Sequence, residues 1–122
     1  NIDGALDTTF ADPQVTGIDA SNTHVSSVEV QPDGKLIIAG SFDEVGGSSR
    51  YSIARLESDG TLDFSFAADI NAPVTSIALQ NDGRIVIGGF FTMVGGQHRT
   101  RMARLNTDGT LDASFQNVQF TS

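Results

Sequence analysis

The chain repeats itself. Shifted against itself by 49 positions, residues 25–66 fall on residues 74–115 without a gap, and 22 of the 42 pairs are identical. A chain of this kind folds as copies of one small unit, and each copy buries its apolar face only against a neighbour. The matched landmarks include Gln31, Asp33 and Gly34 with Gln80, Asp82 and Gly83, and Gly40 and Phe42 with Gly89 and Phe91. Val45, Gly46 and Gly47 match Val94, Gly95 and Gly96; Ala54, Arg55 and Leu56 match Ala103, Arg104 and Leu105. A partial copy at residues 4–10 echoes the second half of the unit, with Gly4, Leu6, Asp7 and Phe10 standing for Gly60, Leu62, Asp63 and Phe66. Its offset is 56, so seven extra residues lie between Phe10 and Val25 and predict a longer loop there.

Within one unit the pattern predicts four short strands. Residues 74–80 alternate apolar and small side chains, Asn81, Asp82 and Gly83 mark a hairpin turn, and 84–91 form a nearly unbroken apolar run. A glycine-rich loop, TMVGGQHR, leads to a third strand at 100–105, and a second Asp-Gly turn precedes a short segment around Leu111. Four strands at a period near 50 describe a blade of a β-propeller, so the expected fold is all-β, one domain over residues 1–122 with two full blades.

The identical positions have mechanical explanations. Asp-Gly is expected to supply a type I′ hairpin, Gly88 and Gly89 close packing between layers, and Phe91 and Phe115 the filling between blades. Arg55 and Arg104 each stand eight residues before Asp63 or Asp112, which predicts one ion pair per blade.

Composition narrows the partners. A net charge of −8 repels phosphate backbones and anionic lipid, so neither nucleic acid nor membrane insertion is expected. No apolar run is long enough to span a bilayer. The absence of Cys excludes disulfides, thiolate zinc sites and cysteine nucleophiles.

Catalytic residues are scarce. The two histidines, His24 and His98, show no metal-binding spacing, and the Gly46-Gly47 and Gly95-Gly96 pairs lack the lysine of a phosphate-binding loop. Residues 57–63 and 106–112 place oxygens around an Asp-Gly turn like a truncated calcium loop, but turn chemistry accounts for them. The expectation is a non-enzyme with no cofactor and no metal. Binding residues are sought where the copies differ in polar or aromatic loop positions: Asn22, Thr23 and His24 in the long loop, Tyr51 against Thr100, and Gln97, His98 and Arg101 against Ser48, Ser49 and Ser52.

The segments QNDGRIVIGGFFTMVGG, RMARLNTDGT and LDASF, with QPDGKLIIAG and SFDEVGG repeating the scheme, resemble the delta-60 type of bacterial propeller repeat, a family of unknown function. The resemblance covers nearly the whole chain. It implies a propeller in secreted or surface-displayed proteins, with no established catalytic residues. The longer first loop and the small copy number depart from it. Closed propellers have about four to eight blades, and two cannot close alone. Either the chain is part of a longer array or copies complete a ring; three chains giving six blades is the expected assembly, four giving eight the alternative. The partial copy would then pair across the chain boundary.

The function expected is recognition, adhesion or assembly at the cell surface, with loops of an oligomeric propeller presented to a cell-surface glycan or protein. The alternatives are a propeller lactonase or hydrolase with a metal at the channel mouth, and a purely structural spacer.

Overall fold

The computed structural model describes residues 15–16 and 24–115, and all their regular structure is β. In chain order the strands are β1 (Val15–Thr16), β2 (His24–Val30), β3 (Leu36–Ser41), β4 (Glu44–Val45), β5 (Ser48–Ser49) and β6 (Ile53–Leu56). There follow β7 (Val74–Leu79), β8 (Ile85–Gly89), β9 (Met93–Val94), β10 (Gln97–His98) and β11 (Met102–Leu105). The first repeat makes an antiparallel sheet in the order β2-β3-β6, and the second makes its counterpart, β7-β8-β11. Central strands β3 and β8 carry the unbroken apolar runs; β3 is buried on both faces, whereas β8 buries Ile85 and Ile87 on one face and leaves Val86 and Gly88 half-buried on the other.

Four differences from expectation have local causes. The glycine-rich loops are small hairpins, β4–β5 and β9–β10, because Gly46, Gly47, Gly95 and Gly96 all adopt positive φ and turn the chain back on itself. The fourth strand is a single bridge, Leu62 to Leu56 and Leu111 to Leu105. It ends there because Asp63 and Asp112 each accept the backbone N–H of the residue two positions on, which bends the chain away.

The Asp-Gly hairpins are not type I′, since only the glycine has positive φ. Gly34 N–H donates to Gln31 O at 2.9 Å and Gln31 N–H to Lys35 O at 2.7 Å, a type I turn followed by a glycine bulge. The same bonds recur at 57–61, 80–84 and 106–110. In each, the aspartate Oδ1 accepts the next-but-one N–H, at 3.0 Å, which holds the central residues in the right-handed region.

Gly89 lets backbone approach within its own sheet and does not serve packing between layers. A Cβ there would lie 2.3 Å from Pro73 O, at the register shift between Val74 and Ser76; Gly40 repeats the geometry against His24 O.

The core lies between the two sheets. Ile37, Ala39 and Ile53 of the first repeat pack with Val74, Ile77, Ile85, Ile87, Phe91, Ala103 and Leu105 of the second, and Phe66 and Ile70 from the connection join them. Phe91 and Phe66 are fully buried there, whereas Phe115 is half-buried. Strand β7 lies against β2 and β3, so the sheets meet most closely at their first strands.

The connections also match. Val15 pairs with Val45 as Ile70 bridges to Val94. Ten positions separate Val15 from Val25 and four separate Ile70 from Val74, so six of the seven extra residues fall between β1 and β2. The partial copy at 4–10, Asn22 and Thr23 lie outside the described residues.

Candidate functional site

The charged residues shared by both repeats form one hub in each. Asp63, 3% exposed, accepts Arg55 Nε at 2.8 Å and Lys35 Nζ at 2.9 Å on Oδ2, and Ser65 N and Oγ on Oδ1. Asp112, 6% exposed, accepts Arg104 Nε at 2.8 Å and Arg84 Nε at 3.1 Å, and Ser114 N and Oγ. The ion pairs predicted at eight-residue spacing are therefore present, each with a second cation that the spacing does not announce. Burial alone would raise the Asp63 carboxyl; hydrogen bonds from Ser65, Lys35 and Arg55 outweigh it and hold the group well below the usual carboxylate range. The Ser114 hydroxyl, helped by Arg104 and opposed by burial, brings Asp112 down to about 2. Arg55 and Arg104 lie over the rings of Phe66 and Phe115 at 5.0 and 4.8 Å.

These hubs tie strand edges together. The Asp-Gly carboxylates are likewise engaged in their own turns, with Asp59 and Asp108 each accepting a threonine hydroxyl as well as an N–H. Among the described residues, no three of His, Asp and Glu converge in a way that would hold a metal ion.

A protein-family model described as a domain of unknown function (DUF5122) beta-propeller matches residues 31–66 and 80–115, more than half of the chain. The chain belongs to this β-propeller family. The two matched segments begin at the glutamine that opens the first Asp-Gly turn and end at the phenylalanine beneath the hub arginine, so each covers most of one blade. No curated protein and no solved structure is matched by the chain.

The positions at which the two blades differ occupy two places. His24 opens β2 and pairs with Ser41 at the end of β3, while Tyr51 directly precedes Ser52, whose carbonyl accepts Gly40 N–H. They therefore share the end of the first blade at which β2 begins and β3 finishes. Arg101 stands at the corresponding end of the second blade, where its carbonyl accepts Gly89 N–H. Arg101 and its counterpart Ser52 have φ of 68° and 70°, so this position is a fixed backbone bend in both blades and only the side chain varies. The four Asp-Gly turns lie at the other end of the sheets, beyond the paired ends Leu36–Leu56 and Ile85–Leu105.

Gln97 and His98, both exposed, form β10 on the outer hairpin of the second blade. Gln97 lines an open cavity of about 500 Å³ with Asp69, Val94, Thr110, Leu111 and Ala113. A volume of this order suits a small ligand.

Four residues escaped the sequence comparison. Phe90, 73% exposed, stands where the first blade has Ser41, at the same strand end as Arg101. Ala113 stands where the first blade has Phe64, whose ring lies 5.7 Å from the Arg50 guanidinium, and its small side chain borders the cavity. Both are mismatches within runs of identity, a signal that a search confined to polar loop positions passes over. Arg50 and Arg99, identical in the two blades, each keep an enclosed Nε without a hydrogen-bond partner, while Nη1 donates to the preceding carbonyl.

Proposed function

We propose that the chain is a non-enzymatic recognition module, a part of a propeller that presents the variable end of its sheets to a carbohydrate on a cell surface. The observation that carries this reading is the distribution of differences. The end built from Asp-Gly turns keeps the same turn in every copy, whereas the opposite end exposes Tyr51 at 49% and Phe90 at 73% beside His24 and Arg101. An exposed aromatic ring gives a flat apolar platform at low conformational cost, and neighbouring imidazole and guanidinium groups supply hydrogen bonds, the combination that recognises a sugar ring and its hydroxyls. Weak single sites gain strength when a ring repeats them, because the effective concentration of the second site is high.

A glycan array probed with the intact chain tests this. Binding to a defined set of glycans, weakened at least tenfold by Tyr51→Ala or Phe90→Ala with an unchanged circular dichroism spectrum, is the expected outcome. Absence of binding to glycans and to bacterial surfaces removes the reading. Gln97→Ala separates the flank cavity from the strand end: binding lost there and kept in the aromatic variants moves the site to the cavity.

A further inference from the structure

The interface between the two blades is a template, and each of its halves recurs on the far side of the other blade, where Ile38, Ala54 and Leu56 stay buried but the β2 strip and the Val86 face are more exposed than their counterparts. Val74 and Ile77 on β7 are 0% and 7% exposed and Leu79 is partly buried, because the first blade covers them. The residues at the same positions in the first blade, Val25, Val28 and Val30 on β2, are 41%, 53% and 64% exposed. The complementary half behaves in the same way. Ile37, Ala39, Ile53 and Phe66 of the first blade are all 0% exposed against the second, while their counterparts Val86, Gly88, Met102 and Phe115 are half-buried.

The polar contact across the interface repeats the asymmetry. Arg55 Nη1 donates to Thr107 O in the next blade at 2.7 Å, whereas Arg104 Nη1 reaches only Gln80 Oε1 at 3.5 Å. The position equivalent to Thr107 in the first blade is Ser58.

We propose that the β2 face of one copy packs on the face of Val86, Met102 and Phe115 of a second copy, head to tail, reproducing the interface between blades. Arg104 Nη1 then donates to Ser58 O of the neighbour. The occupant is a second copy because the geometry and chemistry each face requires are those of the blade already seated on its counterpart. A head-to-tail contact between unlike faces closes into a ring when its rotation divides a full turn, and with two blades per copy three copies make a six-bladed ring. The inference rests on the reading of the chain as part of a propeller and is independent of what its loops bind.

Sedimentation equilibrium of the 122-residue chain tests it, with mass as the readout and no ligand present. The wild type is expected at about three times 12.9 kDa. Val28→Asp and Met102→Asp, one on each face, are each expected at 12.9 kDa with an unchanged circular dichroism spectrum. An equimolar mixture of the two is expected at about twice 12.9 kDa, because one intact face remains on each variant and a single head-to-tail contact forms. A wild-type chain that stays at 12.9 kDa at every concentration overturns the proposal, as does an assembly that neither variant dissociates or a mixture that fails to pair. Glycan binding lost in Tyr51→Ala at unchanged mass bears on the recognition reading alone.

Discussion

The two blades share most of their landmark residues and live in different surroundings. In the first, Asp63 gathers Arg55 and Lys35, and Arg55 also reaches across to Thr107 O, so the hub is locked beneath the second blade. In the second, Asp112 gathers Arg104 and Arg84, but the Arg84 side chain is 42% exposed and Arg104 makes no comparable reach. The same division holds for Phe66, fully buried, and Phe115, half-buried. Identical residues therefore contribute unequally, because the stabilising part of a blade residue is what the next blade places against it.

The largest test of that inequality is aromatic. In the Val28→Asp background, where no second copy covers Phe115, Phe66→Ala is expected to destabilise the chain by about 3–5 kcal/mol in urea denaturation, and Phe115→Ala by about 1, since truncation cost follows burial. Equal losses at 12.9 kDa would break the comparison. Next comes the hub. Asp63→Asn leaves Arg55 and Lys35 without a carboxylate in a largely buried place and is expected to cost about 3 kcal/mol. Asp112→Asn is expected to cost less, because water reaches its arginine partners.

Acid sharpens the same point. Both hub carboxyls titrate lower in the folded chain than in the unfolded one, so as pH falls the unfolded chain takes up protons first and stability is lost. The melting temperature is expected to be flat above about pH 5 and to fall from about pH 4 to pH 2. In Asp63→Asn the fall should be shallower. The smallest effect belongs to the shared backbone bend: Arg101→Gly and Ser52→Gly are each expected to change stability by less than about 0.5 kcal/mol, relief of positive φ offsetting the added chain entropy. A large loss in Arg101→Gly alone would show that its side chain carries packing that Ser52 does not.

Much of this architecture was legible in the 49-residue repeat. The three main strands of each sheet, the places of the Asp-Gly turns and the pairing of Arg55 with Asp63 follow from patterns local enough for one residue's chemistry to decide them; the small hairpins at Gly46-Gly47 and Gly95-Gly96 and the shortness of the fourth strand did not. The turn type did not follow, because Asp-Gly suits both a type I′ turn and a type I turn with a glycine bulge. The aspartate Oδ1 bond to the N–H two residues on accompanies the second. Lys35 and Arg84 as second partners of the hubs were equally hidden, since they arrive from the end of an Asp-Gly turn 28 residues away. At the candidate site, His24 and Tyr51 were singled out as variable, yet their shared strand end depends on the register of β2 on β3 and on the Gly40–Ser52 bond. Phe90 was overlooked because an apolar residue at the end of an apolar run reads as core until its exposure is known.

By itself, then, the sequence determined most of the unit: the three main strands of each sheet, where the Asp-Gly turns fall and the pairing of Arg55 with Asp63 and of Arg104 with Asp112, all through contacts short in sequence. Only the tertiary structure decided which of two equivalent residues is buried. That depends on whether a second blade lies against it, and Val28 and Ile77 differ in exposure by 53% against 7% while occupying the same place in the repeat. Burial is a property of the neighbour as much as of the residue, and a repeat states its own half of the interface at every copy.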